Sequence, residues 1–298
     1  MSRSGPASTG AQERVRAAAA RLGYAPDPLA RALASRAGFR LVIAVQGGSD
    51  AVLDDPYVDR VVRAAVDVAG PQGVGVSLQR VPVAGRDRLD ALARDRGVRG
   101  VLLVNTTEDL LAAVPGALRG RAASIGVGAR GVPSFDVDNA GGTTAVLRHL
   151  YAAGRRRIVL VTGPRWLPCT RRPVVAYRAL MAAAGLPARL VPGDFTAASG
   201  RAAVPVVLER WPDTDAIVGS TDATALGVLG ALRERGVRVP GDIAVAGFDD
   251  IPFAALSAPA LTTASHHVRR MSAAVASPLL DGTRVPPETA YPSVLIAR

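Results

Sequence analysis

Residues 216–251 read AIVGSTDATALGVLGALRERGVRVPGDIAVAGFDDI. The stretch opens on an apolar run at 216–218, continues through an alanine- and leucine-rich segment at 223–235, and closes on a second apolar run at 243–246. Gly236 follows the middle segment, as expected where a helix ends on a left-handed residue. Short apolar runs on either side of a helix are typical of a strand–helix–strand unit with parallel strands.

The same alternation extends along the chain. Short apolar runs suit the strands of a parallel sheet that is covered on both faces. The segments between them predict helices, and the whole pattern predicts an α/β, doubly wound fold with two similar lobes. Turn-rich stretches at 128–139 and 258–264 are the expected crossings between the lobes. Strands are predicted at 41–45, 74–78, 100–104, 122–127, 158–161, 216–218 and 243–246, and helices at 57–69, 86–94, 141–153, 174–184, 198–209 and 223–235.

Composition excludes several classes of protein. The 298 residues are 49% hydrophobic and carry 36 basic against 25 acidic residues, for a net charge of +11. The length allows two cores and the hydrophobicity excludes disorder. A single cysteine, Cys169, excludes a disulfide scaffold. The sequence has no apolar run of the roughly 18 residues that a membrane helix needs and no signal-peptide core, so we expect a cytoplasmic protein.

Positive charge is concentrated at the start of the chain, where residues 1–40 hold seven arginines and two acidic residues. A basic arm is typical of contact with nucleic-acid phosphates, but a solvated tail has the same composition, and charge alone leaves both interpretations open. Residues 11–22 predict a helix that ends at Gly23, with Pro26 preventing its continuation. A second helix is expected at 28–36 and is too short to be stable without a partner or a ligand surface.

The motifs offer no convincing catalytic or cofactor site. Residues 126–131 (GVGARG) spell a dinucleotide-binding pattern, but the Val-Pro-Ser that follows does not begin the helix that would bind a pyrophosphate. His149, His266 and His267 lack metal-ligand spacing with cysteine or carboxylates. Cys169 has no base at hand and is interpreted as a small loop side chain. We therefore expect no enzyme, no cofactor and no metal.

A series of motifs runs through the chain in a fixed order. They are QERVRAAAARLGYAP at 12–26, LARAL at 29–33, DPY at 55–57, VDN at 137–139, GRRRI at 154–158, GDFT at 193–196, TDATALG at 221–227, VPGDIAVAGFDDI at 239–251 and LTT at 261–263. In this order the set resembles the lactose-repressor-type (LacI/GalR) family of transcription regulators. The resemblance spans essentially the whole chain, and its GFDDIP and LTT elements are specific.

The resemblance implies two periplasmic-binding-protein-like lobes, with parallel sheets flanked by helices, after a truncated helical headpiece and hinge helix at residues 1–38. The N-terminal lobe is expected at 39–138 plus about 264–284. The C-terminal lobe is expected at 139–263 plus about 285–298. A sugar-sized effector is expected in the cleft, beyond the carboxyl ends of the strands.

The same resemblance suggests residues that bind the effector. Asp249 would accept hydrogen bonds from effector hydroxyls, its alternative role being that of a turn-forming aspartate. Phe195 would stack on the effector, or else belong to the ordinary core. Pro173 stands where the family usually has an arginine, and Thr221 where it commonly has an asparagine; these departures favour a different or smaller effector, or weak binding. The candidates are Tyr57, Asp138, Arg171, Arg172, Phe195, Thr221 and Asp249.

Contacts to DNA are expected from the start of the chain. By the resemblance, Leu33 matches the hinge residue that wedges between base steps in the minor groove, and Arg3 and Arg31 are candidate DNA contacts. The match begins part-way through the family's headpiece, whose recognition helix reads the major groove. Either translation starts further upstream, or the product lacks a complete recognition helix.

The resemblance thus implies a ligand-responsive DNA-binding transcriptional regulator, a repressor, that acts as a homodimer. Its expected partners are operator DNA, if the headpiece is completed upstream, and a sugar-like effector, with no membrane partner. The alternative is a stand-alone small-molecule binding protein that has lost DNA recognition. An enzyme ranks third, because the sequence offers neither an acid/base pair nor a phosphate loop.

Overall fold

The computed structural model describes residues 9–24 and 39–298. The first range contains helix α1 (Thr9–Arg21). It ends as its sequence predicts: Gly23 is left-handed, with φ of 61°, and the amides of Gly23 and Tyr24 donate to the carbonyls of Ala20 and Ala19. This pair of bonds is the Schellman motif, which satisfies the last carbonyls of a helix. The short helix expected at 28–36 lies outside the described residues.

The second range alternates strands and helices. In chain order the elements are β1 (Arg40–Gln46), α2 (Pro56–Ala69), β2 (Gly75–Val81), α3 (Arg86–Arg94), β3 (Val98–Val104), α4 (Glu108–Ala112), β4 (Ala122–Ile125), β5 (Ser134–Val137), α5 (Asn139–Ala152), β6 (Ile158–Val161), α6 (Arg171–Ala183), β7 (Arg189–Val191), α7 (Ala197–Arg210), β8 (Ala216–Gly219), α8 (Asp222–Glu234), β9 (Ala244–Ala246), α9 (Pro252–Leu256), β10 (Thr263–Ser265), α10 (Val268–Asp281), β11 (Glu288–Tyr291) and β12 (Val294–Ile296).

The first lobe is built on a six-stranded sheet in the order β11–β5–β4–β3–β1–β2, in which neighbouring strands are parallel. Leu41, Ile43 and Val45 of β1 pack with α2 and α10 on one face. Val42 and Ala44 pack with α3 and α4 on the other. Because helices bury both faces, β1 is apolar at successive positions instead of alternating with polar residues.

The second lobe is built on a four-stranded parallel sheet in the order β7–β6–β8–β9. Helices α5 and α6 pack on one face, and α7 and α8 on the other. Strands β10 and β12 form an antiparallel pair, which a bridge between Ala246 and Thr262 joins to the edge of this sheet.

Within the described residues the chain passes between the lobes after Val137, after Ser265 and again before Val294. The first crossing falls in the predicted stretch 128–139. The second comes later than 258–264, because Thr263–Ser265 still pairs with Val294–Ile296 in the second lobe. The third also differs from the expectation near 285, because Glu288–Tyr291 pairs with Ser134–Val137 in the first lobe.

The predicted α/β class, with parallel sheets flanked by helices, is confirmed. Within the described residues, each predicted strand and helix is present within a few residues, and Gly154, Gly185 and Gly236 are left-handed after their helices. The GVGARG stretch leads into strand β5 and not into a helix, so it lacks the anion-binding helix end of a dinucleotide site. Over residues 9–24 and 39–298, no helix is long and apolar enough to cross a membrane.

Candidate ligand-binding cleft

Residues that directly follow the strands line the cleft between the lobes. Parallel strands end at one edge of their sheet, and ligands of open α/β sheets bind beyond it. Asn105 follows β3, Ser220 follows β8, and Asp249 lies just beyond β9. They border a small cavity of about 90 Å³ that opens to solvent. Its other lining residues are Asp55, Tyr57, Thr106, Ile125, Gly126, Val127, Asp136, Val137, Asn139, Leu167, Cys169, Thr170, Pro173, Phe195, Thr221, Phe248 and His266.

A second cavity of about 490 Å³ adjoins the first and shares Asp55, Asn105, Leu167 and Phe195 with it. It is bordered by Trp166 and Leu226 of the second lobe as well as by the loop after β1. Cavities of several hundred Å³ between two structural units are typical small-molecule sites. Together the two cavities form the cleft.

Asp249 is the most unusual group in the cleft. It is only 8% exposed, and its backbone is left-handed, with φ of 108°. Its amide donates to Ala264 O at 2.8 Å, and its carbonyl accepts from Arg60 Nη1 at 2.7 Å. Within the described residues no donor bonds to its carboxylate, and burial followed by repulsion from Asp222 and Asp55 raises its pKa well above the usual range. A buried carboxyl without a protein donor needs one from a ligand or from solvent.

Hydrogen bonds to Asp222, at the start of α8, anchor the loop that carries Asp249. The Asp222 side chain is fully buried. Its Oδ2 accepts from the amide of Ile251 at 2.8 Å, its Oδ1 accepts from Thr263 Oγ1 at 2.6 Å, and its own amide donates to Phe248 O at 2.6 Å. The three bonds tie both ends of the loop to α8 and β10. Burial raises the pKa of Asp222 to about 7.

Aromatic rings form one wall of the cleft. His266 lies 5.5 Å from Tyr57 and 5.8 Å from Phe248 between ring centroids. It is 2% exposed, and neither ring nitrogen has a hydrogen-bond partner within the described residues. Burial lowers its pKa to about 3, so the imidazole is neutral at neutral pH. A neutral imidazole offers one donor and one acceptor.

Asp55 brings a second carboxyl into both cavities. It is the N-cap of α2, where its Oδ1 accepts from the amide of Tyr57 at 2.9 Å. Burial raises its pKa to about 6. Tyr57 lines the cleft as predicted, and its pKa is raised well above the usual range by burial and by the nearby carboxyls of Asp249 and Asp55.

Phe195 and Thr221 also line the cleft, and the side chain of each contacts other residues of the protein. Phe195 borders both cavities, and its ring packs so closely on Gly163 that no β-carbon would fit there. Thr221 is the N-cap of α8: its hydroxyl accepts from the amide of Thr224 at 3.2 Å and donates to Phe195 O at 3.0 Å. The Thr221 hydroxyl therefore positions the Phe195 loop, and Phe195 presents the aromatic face.

Cys169, interpreted from sequence as a small loop side chain, also lines the cavity. Burial raises its pKa to about 12, the dominant effect over the opposing charge of Arg172. The thiol is therefore protonated at neutral pH and is not an activated nucleophile.

Comparison with known proteins gives consistent matches. Residues 147–298 match the family of periplasmic binding protein-like domains. The chain is 33% identical to the HTH-type transcriptional regulator CelR of Thermobifida fusca, over 96% of this chain and 86% of CelR. It is similar to the structure of a CelR–cellobiose complex, with a TM-score of 0.76, 27% identity and coverage of 99% of this chain and 92% of that one. It is also similar to a LacI family regulator from Arthrobacter sp. FB24 in complex with lactose, with a TM-score of 0.74, 25% identity and coverage of 87% and 98%.

The chain belongs to the LacI family of transcriptional regulators. The family resemblance that its motifs suggest is thereby confirmed. As a LacI-family protein it is a transcriptional regulator, which disfavours the alternative of a stand-alone binding protein without a role at DNA.

Asp138 does not lie where its motif suggests for a LacI-family protein. It is exposed, lines neither cavity, and accepts from the amide of Gly141 at 2.8 Å as the N-cap of α5. Asp136, two residues earlier in β5, borders the cleft instead. The aspartate at the helix start is used for capping, which satisfies one of the free amides there.

The two candidate arginines also lie outside the lining of the cleft. Arg171 is exposed, and Arg172 bonds through Nη2 to Asp136 Oδ1 at 2.7 Å. Pro173 borders the cavity at the position where the LacI family usually has an arginine. Neither arginine replaces the missing guanidinium in the lining, and Arg172 instead neutralises Asp136. Asp55, Asp136 and His266 were missed from sequence, although Asp55 stands in the quoted DPY motif.

The DNA candidates Arg3, Arg31 and Leu33 lie outside the described residues. Their assignment to this LacI-family protein stays a prediction.

Proposed function

We propose that this regulator senses a sugar-like small molecule in the cleft between its lobes and that the bound molecule changes its affinity for DNA. The single observation that carries the proposal is the buried Asp249 carboxyl, which faces a cavity and has no protein donor in the described residues. Hydroxyl groups of a polyol would supply the missing donors. Complexes of relatives with cellobiose and with lactose support this class of ligand.

Arg60 offers a route from the ligand to the relative position of the lobes. It lies on α2 of the first lobe, and its Nη1 donates to the carbonyls of Asp249 and Asp250 of the second, at 2.7 Å each. A ligand on the Asp249 carboxyl therefore acts on a loop that is bonded to both lobes. The ligand shifts the population towards the closed state by its difference in affinity for the two states, typically about 1–3 kcal/mol.

The remaining assignments follow from the family. We infer that the protein acts in the cytoplasm as a homodimer, that it represses transcription, and that the region before residue 39, with Arg3, Arg31 and Leu33, contacts operator DNA. We also infer that it is not an enzyme, since its relatives are regulators and the buried thiol of Cys169 is not activated. The effector-binding part comprises both lobes from residue 39 onward.

The proposal is tested by titration with neutral and amino monosaccharides and with disaccharides. Trp166 borders the cleft, so its fluorescence reports binding there. We expect at least one sugar to change the fluorescence of the wild type and none to change that of Asp249→Ala. Asp213→Ala is the matched control, because that aspartate is half-exposed and pairs with Arg189 away from the cleft. Full sugar affinity in Asp249→Ala would show that the cleft is not the site.

A further inference from the structure

The cleft is acidic although the protein is strongly basic. The chain has a net charge of +11. In the described residues, neither cavity is lined by a lysine or an arginine. The carboxyls that border the two cavities are those of Asp54, Asp55, Asp136, Asp194 and Asp249. A cleft of one sign of charge selects a ligand of the opposite sign.

Three of these carboxyls need no ligand. Asp136 is paired with Arg172, which approaches it from outside the lining. Asp194 is exposed at the rim and accepts from the amide and the hydroxyl of Thr196 at 3.0 and 2.6 Å. Asp54 is also exposed at the rim.

The two inner carboxyls are different. Among the described residues, the Asp55 carboxyl accepts only from the backbone amide of Tyr57, and the Asp249 carboxyl accepts from none. Arg60 is the nearby positive charge that acts on Asp249, but its hydrogen bonds go to the backbone carbonyls of Asp249 and Asp250. When both inner carboxyls are ionised, one guanidinium faces two carboxylates. In that doubly ionised state negative charge exceeds positive charge, and burial makes the excess costly.

His266 independently indicates a ligand at the same wall. The residue lines the cavity, its two ring nitrogens are buried without partners among the described residues, and the ring is neutral. It can therefore add an acceptor beside the two carboxyls without adding a positive charge. The inner wall is thus rich in acceptors and lacks a cation.

We propose that the effector carries a protonated amine in addition to its hydroxyl groups, as a 2-amino-2-deoxyhexose does, and that Asp55 and Asp249 bind the amine. This inference rests on the function proposed above and narrows its ligand class. A compact ammonium donates three hydrogen bonds and supplies a positive charge that would balance the second carboxylate when both inner carboxyls are ionised.

Binding of an amine should release protons from the two inner carboxyls, whereas binding of a neutral sugar should not. The empty cleft favours protonated carboxyls, because burial raises the pKa of Asp55 to about 6 and that of Asp249 further. An ammonium group beside them favours the ionised forms, so binding releases protons at a pH where the amine is already charged. The charged and titratable groups that face this pair are Asp222, Arg60, Tyr57, Cys169 and His266.

The test compares glucosamine with glucose and N-acetylglucosamine, which lack the charge, by titration calorimetry at about pH 6.5, where most of a primary amine is protonated. We expect glucosamine to bind at least about tenfold more tightly than either neutral sugar. We also expect it to release up to about one proton, measured as a dependence of the binding heat on the ionisation enthalpy of the buffer.

Asp55→Asn should reduce the preference for the amine to less than about threefold, because Asn keeps the helix cap but removes the charge. Asp59→Asn is the matched control, since that aspartate lies on the same helix, exposed and paired with Arg63, and should leave the preference unchanged. The proton release needs no variant and so stays informative if Asp55→Asn misfolds.

Several results would overturn the inference. Equal or tighter binding of the neutral sugars would do so while leaving the proposed sugar sensor intact. Glucosamine binding without proton release, or an unchanged preference in folded Asp55→Asn, would remove the carboxyl pair from the amine site. The absence of binding by all three sugars would also contradict it. The proposed function itself fails only if the wider sugar panel shows no ligand dependent on Asp249.

Discussion

Replacing Asp222 with asparagine should make the stability of the protein less sensitive to a rise in pH from about 4 to about 7. The Asp222 carboxyl is buried, and its pKa is raised from 3.8 to about 7. A raised pKa means that the folded protein prefers the protonated form. The stability that this group contributes is fully present below pH 3.8 and is lost as the pH rises through about 7. An asparagine side chain cannot ionise, so the Asp222→Asn variant escapes this loss.

The pKa shift of Asp222 sets the size of the expected change in unfolding free energy. A displacement of about three pKa units corresponds to about 4 kcal/mol, at 1.36 kcal/mol per unit. The hydrogen bonds survive the substitution: the amide oxygen can accept from the Ile251 amide, and the amide nitrogen can donate to Thr263, whose hydroxyl is free to rotate. We therefore expect the unfolding free energy of Asp222→Asn, relative to wild type, to increase by a few kcal/mol between about pH 4 and pH 8.

Urea unfolding, followed by tryptophan fluorescence at several pH values, measures this difference. Both tryptophans, Trp166 and Trp211, belong to the second lobe, which also contains Asp222. Asp242→Asn is the control, because Arg238 lowers the pKa of that exposed carboxyl to about 2 and its difference from wild type should be flat above pH 5. A stability difference for Asp222→Asn that does not change from pH 5 to pH 8 would show that the folded protein does not hold the Asp222 carboxyl in its protonated form.

Three further variants test the cleft and its support. Asp249→Ala should abolish sugar binding in calorimetry while sedimentation shows an unchanged oligomer; retained affinity would contradict the site. Arg60→Met removes two charge-assisted bonds between the lobes and should weaken sugar binding about tenfold in the same titration, whereas unchanged affinity would exclude Arg60 from closure. Tyr177→Phe leaves Ile158 O and the amide of Arg189 without the buried hydroxyl, at 2.7 and 2.8 Å, and should lower the urea-unfolding free energy by about 1–3 kcal/mol; no loss would mean that water replaces it.

Sequence predicts the main sheets well because their strands are buried on both faces. Residues 41–45 and 158–161 are continuous apolar runs, and each is a central strand of its sheet. One strand that was missed shows the opposite case. Glu288–Tyr291 includes a glutamate and a threonine and lies at the sheet edge, so only its pairing with Ser134–Val137 makes it a strand. Its placement depends on tertiary contacts that periodicity does not record.

Sequence also predicts part of the lining of the cleft. Asp249, Phe195, Tyr57 and Thr221 follow strands or begin helices, and motif position placed them at the cleft. Asp138 was misplaced because an aspartate three residues before Gly141 also suits a helix cap, and capping prevailed. His266 was missed because an isolated histidine has no pattern, and its lack of partners among the described residues becomes visible only in the folded cavity.

Under the proposed function, a molecule bound at Asp249 controls the affinity of the protein for DNA. The most direct measurement is selection of genomic DNA fragments by the protein isolated from its native cells, with and without the sugar identified by titration. We predict a small set of enriched fragments whose binding the sugar changes at least about fivefold in the wild type, the lower end of typical allosteric coupling, and leaves unchanged in Asp249→Ala. Enriched fragments that respond equally in both proteins, or no specific fragments, would contradict the account.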